Sequence, residues 1–167
     1  MTIQYVPVEQ GAQISQLAVL ADKVWHEYFP CILSEGQIDY MVEKFQSEKA
    51  LTEQIRNEGY QYFFLEGNGS YMGYIGVHVE EAERKLFLSK LYLMKSARGK
   101  GYASQVFEFL QGLAAACGCR SIYLTVNRHN DHTIEVYKKW GFQIVKEQDA
   151  DIGNGYVMDD YVMEYTL

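Results

Sequence analysis

The chain has 167 residues, the size of one ordinary domain, and 48 % of them are hydrophobic with 14 % aromatic, which supports a packed core and excludes intrinsic disorder. No apolar run approaches the roughly 20 residues that span a bilayer, and no internal repeat appears. A formal net charge of −7 argues against nonspecific nucleic-acid binding, which needs a basic footprint to meet phosphates.

Ile3, Tyr5 and Val8 read as a short first strand ending near Pro7. Ile14, Leu17, Ala18, Ala21, Val24, Trp25 and Tyr28 follow the three-four spacing of an amphipathic helix, stopped by Pro30. A second helical phrase carries Ile38, Met41, Val42 and Phe45, and Ser34 with Gln37 suits its capping box. A third, short one runs from about Leu51 to Arg56 and stops near Gly59.

The pattern then turns to strands. Tyr60–Leu65 is aromatic and β-prone, Gly67-Asn-Gly signals a hairpin, and Tyr71–Val79 returns. Leu86–Leu93 completes an antiparallel meander. From Gly101 the period is again 3.6, with Ala103, Val106, Phe107, Leu110, Leu113, Ala114 and Cys117 marking one stripe before Gly118. Ile122–Val126 reads as a buried strand, His132–Trp140 as a helix closed by Gly141, and Phe142–Val145 and Tyr156–Tyr165 as the last strands. The fold class is mixed α/β.

Met1-Thr-Ile-Gln-Tyr-Val lacks a basic stretch followed by an apolar one, so a cytoplasmic location is expected and no membrane partner. Cys31, Cys117 and Cys119 are odd in number, and Cys117-Gly-Cys119 is too tight for a C-x-x-C motif; they read as buried or half-buried free thiols, with no metal site.

The decisive segment is Leu91-Tyr92-Leu93-Met-Lys-Ser-Ala-Arg98-Gly99-Lys100-Gly101-Tyr102-Ala103. A strand runs into a loop with two glycines that opens onto a long helix. The first N–H groups of a helix lack internal partners and its dipole favours negative charge there, while glycines let backbone approach a ligand closely. Six basic residues and no acid occur between Arg84 and Lys100, so the loop reads as an anion cradle or as a plain solvated turn. The spacing of a Walker loop is absent, and a dinucleotide fingerprint would need a third glycine at Ser104.

Arg98-Gly-Lys-Gly101-Tyr-Ala103 resembles the pyrophosphate motif [Q/R]-x-x-G-x-[G/A] of the GNAT superfamily of acyl-CoA-dependent N-acyltransferases. Asn127-Arg-His-Asn130-Asp-His-Thr133-Ile-Glu-Val-Tyr137-Lys-Lys-Trp-Gly141-Phe142 is similar to that family's N-x-x-A-x-x-x-Y-x-x-x-G-F, with Thr133 where alanine is usual. The resemblance implies one N-acetyltransferase domain over 1–167, with a strand and substrate-side helices in 1–58 and an acetyl-CoA core in 86–142. It implies a mostly antiparallel central sheet flanked by helices, in the order strand, two helices, three strands, helix, strand, helix, two strands.

The resemblance also implies roles. The backbone of Leu91, Tyr92 and Leu93 would pair with the pantetheine arm, N–H groups from Arg98, Gly99, Lys100, Gly101, Tyr102 and Ala103 would hold the pyrophosphate, and Asn130 would bond the pantetheine. Tyr137 would protonate the leaving thiolate, a general-acid step; by periodicity alone it is a core aromatic. Asn127 is equally a strand-end cap. The implied reaction is acetyl transfer to a primary amine of a small molecule or peptide.

Some family members place a glutamate on the strand before the loop, but Phe87-Leu-Ser89-Lys90 has no carboxylate. Glu66, Glu80, Glu81 or a water chain are the candidate bases. Glu27, Tyr28 and Tyr40 are candidate substrate-binding residues, and the acids Glu27, Glu35, Asp159 and Asp160 suit a cationic amine such as a polyamine. A non-catalytic acyl-CoA sensor and a nucleotide-binding protein are the competing classes. The aromatic strands near the C-terminus are candidates for pairing across a homodimer interface.

Overall fold

The computed structural model describes residues 2–167. In chain order its elements are β1 (Gln4–Pro7), α1 (Gly11–Tyr28), α2 (Glu35–Gln46), α3 (Glu48–Asn57), β2 (Tyr60–Gly67), β3 (Ser70–Glu80), β4 (Lys85–Leu93), a 3-10 turn (Lys95–Ala97), α4 (Tyr102–Ala116), β5 (Ser121–Asn127), α5 (Asp131–Trp140), β6 (Gln143–Gly153) and β7 (Tyr156–Thr166). The strands form one seven-stranded sheet in the order β1-β2-β3-β4-β5-β7-β6. It is mostly antiparallel; β4 and β5 pair in parallel, Lys85–Leu88 with Ser121–Leu124, and β5 continues to Asn127 on β7.

The chain forms two compact units, Met1–His78 with Lys90–Leu110, and Val79–Ser89 with Gln111–Leu167. In the first, the three helical phrases all start on side-chain caps. Gln13 Oε1 accepts from the Glu9 and Gln10 N–H groups, Ser34 Oγ from Gln37 N–H and Ser47 Oγ from Ala50 N–H, at 2.8–3.2 Å. Ile14, Leu17, Ala21, Val24 and Trp25 of α1, Ile38 and Met41 of α2 and Leu51 of α3 are buried.

A hydrogen-bonded chain ties these helices to β2 and β3. Trp25 Nε1–H donates to Tyr74 Oη at 2.8 Å, Tyr74 to Gln46 Oε1 at 2.7 Å and Tyr62 Oη to Gln54 Oε1 at 2.6 Å. Buried polar atoms need such partners, so this network fixes helix placement as well as energy. Alternation along β1 and β2 turns Tyr5 and Phe63 to the opposite side, against Phe109 of α4.

In the second unit α5 ends on Gly141, whose φ of 103° lies in the left-handed region; Gly141 N–H donates to Lys138 O and Phe142 N–H to Tyr137 O. Strand β6 is longer than the apolar run Phe142–Val145 suggests. It pairs with β7 through Asp151 and Gly153, so a charged stretch becomes strand by backbone pairing at the sheet edge, and Ile144 and Val145 stand exposed there. The three cysteines are free, and only Cys119 is buried; Cys31 and Cys117 are exposed, which shortens the buried stripe of α4 by its last member. Among the described residues, no helix is long and apolar enough to cross a membrane.

Candidate active site

The first unit carries the glycine loop. Strand β4 leads through the 3-10 turn to Arg98, Gly99, Lys100 and Gly101, and α4 begins at Tyr102. Gly99 and Gly101 have φ of +74° and +81°, where a side chain is strained, and a Cβ on either would meet nothing within 4 Å. The first turn of α4 contains no acid. Its N-terminal N–H groups and dipole therefore meet no acid within the helix's own first turn.

Arg98 is oriented before any ligand arrives. Its Nε–H donates to Leu93 O at 3.0 Å and its guanidinium lies 5.1 Å from the Tyr28 ring centroid. Its Nη2 is buried and has no hydrogen-bond partner. A buried guanidinium nitrogen left without an acceptor is costly by about 1–3 kcal/mol, and an anionic oxygen is the partner that would satisfy it.

Glu27 and Tyr28, the candidate substrate residues at the end of α1, meet this loop. Glu27 Oε1 accepts from Lys95 N–H at 3.1 Å, and Tyr28 packs edge-on against Tyr92. Glu27 thus anchors the 3-10 turn, a contact between residues 68 positions apart that local spacing does not announce. Tyr92 is also packed by Trp25, Phe29 and Tyr74, which sets the course of the Leu91–Leu93 backbone. Tyr40 on α2 is paired with Lys44, whose Nζ donates to its hydroxyl at 3.4 Å.

The second unit carries the other motif. Tyr137 is buried on α5 against Trp140 and Phe142. Asn130 is the N-cap residue of α5, yet its side chain makes no capping bond. Asn127 Oδ1 accepts from His129 N–H at 2.9 Å, so it does serve as a strand-end cap. Of the candidate bases, Glu80 already accepts from Tyr123 Oη at 2.7 Å, and Glu81 lies in the exposed turn after β3.

Asp159 and Asp160 part company in the fold. Arg128 Nε–H and Nη2 bind Asp159 Oδ1 at 2.7 and 2.6 Å, and Arg128 also reaches Glu147 at 3.3 Å. Asp160 is only 3 % exposed, and its Oδ1 has no hydrogen-bond partner. Burial, and next the neighbouring Asp159, push its carboxyl up to about 6. Alternation along a strand sends adjacent residues to opposite faces, so once β7 is paired on both sides the two acids meet different surroundings.

A model of the acetyltransferase (GNAT) family matches residues 20–142. The chain belongs to that family. It is thus an acyltransferase, and relatives of this GNAT chain agree. An uncharacterised N-acetyltransferase of Mycobacterium bovis is 26 % identical over 89 % of this chain and 94 % of its own length. A probable spermine N(1)-acetyltransferase of Bacillus subtilis subsp. natto is 33 % identical over 39 % of this chain and 43 % of its own. The crystal structure of PaiA N-acetyltransferase from Thermoplasma acidophilum in complex with coenzyme A superposes with a TM-score of 0.79 at 19 % identity, covering all of both chains. The glycine loop of this chain combines features suited to an anion: a cation with an unsatisfied nitrogen, two left-handed glycines beside open space and a helix whose first turn is free of acids.

Proposed function

We propose that the chain transfers an acetyl group from acetyl-CoA directly to a primary amine of a small molecule or peptide, with polyamines the favoured acceptors. The observation that carries the cofactor side is the unsatisfied Arg98 Nη2 beside Gly99 and Gly101 at the start of α4. Acetyl-CoA supplies the acetyl group as an activated thioester. Arg98 and the N–H groups of residues 98–103 bind its diphosphate, the backbone of Leu91, Tyr92 and Leu93 aligns its pantetheine arm, and Asn130 bonds that arm. Tyr137 Oη donates a proton to the departing sulfur. The polyamine preference is supported by the surplus of acids and by the spermine-acetyltransferase name of one partial relative.

Calorimetric titration with acetyl-CoA and with ATP, followed by an acetylation assay on an amine panel headed by spermidine, tests this. Micromolar binding of acetyl-CoA but not ATP, with amine turnover, is expected. Tyr137→Phe should bind acetyl-CoA within about twofold of wild type and turn over about 10- to 100-fold more slowly, the low end of general-acid effects. Binding without turnover across the panel would make the chain an acyl-CoA-binding domain, and no binding would reduce the loop to a turn.

A further inference from the structure

We infer that Asp160 is the proton acceptor for the incoming amine, its buried and unpartnered Oδ1 standing beside Asn127 at the end of β5. The inference rests on the acetyl-transfer reading above and supplies the base that this reading lacks.

In the ladder Asp160 lies opposite Asn127 of β5 and opposite Gln148 of β6. Cross-strand partners share a face, so the three side chains stand together. Asn127 opens the segment that resembles the family's second motif, so Asp160 sits where β5 hands over to the Asn130–Tyr137 stretch of the same unit. Asp159 points to the other face and is held by Arg128. Arg128 neutralises one acid of the pair and makes its bonds to that one.

A buried carboxylate oxygen without a donor costs stability, and a native structure that keeps one calls for an explanation. An ammonium or amine N–H arriving at Oδ1 would supply the missing donor. Of the other candidate carboxylates, Glu80 holds the Tyr123 hydroxyl and Glu81 is exposed in the turn after β3, and Phe87–Lys90 of β4 contains no acid. The charged groups acting on Asp160 are Asp159 on its own strand and Asp149 on β6, which raise its pKa, and Arg128 before α5, which lowers it. Desolvation in turn lowers the pKa of an approaching ammonium, which narrows the gap the proton must cross.

The step balances. An ammonium nitrogen sheds two protons in becoming an amide. Asp160 Oδ1 takes the first, which frees the lone pair that forms the N–C bond to the acetyl carbon. The second passes to solvent as that bond forms and the C–S bond breaks, and Asp160 returns its own proton to solvent before the next turnover. Tyr137 Oη supplies the departing sulfur with a proton and recovers its own from solvent, so one proton is released per acetyl group.

The test uses wild type, Asp160→Asn and Asp160→Glu, with spermidine as the probe amine. Wild-type kcat should fall as pH drops through about 6. Asp160→Asn should keep acetyl-CoA affinity within about twofold, lose that acid limb and lower kcat by about 10²- to 10⁴-fold. Asp160→Glu should restore part of the rate and the limb. An unchanged limb and rate in Asp160→Asn would overturn the inference while leaving acetyl transfer intact. So would a wild-type profile flat through pH 6, a measurement that needs no variant to fold. Failure of wild type to acetylate any amine would overturn both readings.

Discussion

Replacing Arg98 by alanine separates an anion cradle from an ordinary turn. In the free protein the guanidinium makes one bond, to Leu93 O at 3.0 Å, and one cation–π contact with Tyr28 at 5.1 Å. Losing both costs about 1–2 kcal/mol, offset by removing the unsatisfied Nη2. The fold should therefore survive. The complex loses more, because a hydrogen bond from a charged group is worth about 1.5–3 kcal/mol. At about 1.4 kcal/mol per factor of ten, acetyl-CoA affinity should fall roughly 10- to 150-fold. Calorimetry at one fixed salt concentration measures this, since ion screening changes the term. Arg98→Lys keeps the charge but replaces the rigid planar fork with a point charge on a flexible stem, so it should fall between the two. An Arg98→Ala protein that unfolds cooperatively yet binds acetyl-CoA within twofold of wild type would refute the reasoning.

Gly101→Val forces a β-branched side chain to φ +81° and into the open side of the loop, so acetyl-CoA binding should vanish in calorimetry while the chain stays folded; unchanged affinity would sink the cradle. Gly73→Ala would drive a Cβ into the Tyr92 carbonyl oxygen and to 2.9 Å from Leu93 Cα, so the urea midpoint should drop by the equivalent of about 3 kcal/mol. Gly112→Ala, inside α4 with no atom near its Cβ, should instead raise stability by up to about 1 kcal/mol; equal effects of the two would contradict the packing. His26 Nδ1 faces the Asp22 carbonyl at 2.7 Å and Nε2 the Asp39 carboxylate at 2.6 Å, an arrangement that only the imidazolium satisfies on both sides. The Asp39 bond and then the Asp22 carbonyl raise its pKa above 6.5. A raised folded-state pKa stabilises fully below the unfolded value and loses that contribution as pH rises through the folded one. The wild-type advantage over His26→Gln in urea unfolding should thus be larger at about pH 5.5 than at about pH 8.5; equal advantages would refute the pairing.

Local chemistry was legible in the sequence wherever neighbours in the chain decide it. The Ser34 cap, the left-handed Gly141 after α5 and the glycines that turn β4 into α4 depend on backbone conformation over a few residues. The hydrophobic periods placed the helices and strands for the same reason: a face must be apolar at the element's own repeat to be buried. The two motifs marked Arg98 and Tyr137 because the family resemblance is written in short, contiguous segments. The charged half of β6 carried no such signal, since its strand conformation comes from pairing with β7.

Tertiary structure alone decided the contacts between distant segments. Glu27 reads as a substrate acid by position, and the fold adds a contact that position does not announce, its Oε1 accepting from the Lys95 N–H. Asp159 and Asp160 are adjacent and identical in type; one is bound by Arg128 and the other is buried with a bare oxygen. Sheet order is decided in the same way, with β7 inserted between β5 and β6. The physical reason is common to all three. Propensity and period act over one or two turns of chain, whereas the charge state and partners of a side chain depend on desolvation and on groups brought together only when the sheet closes.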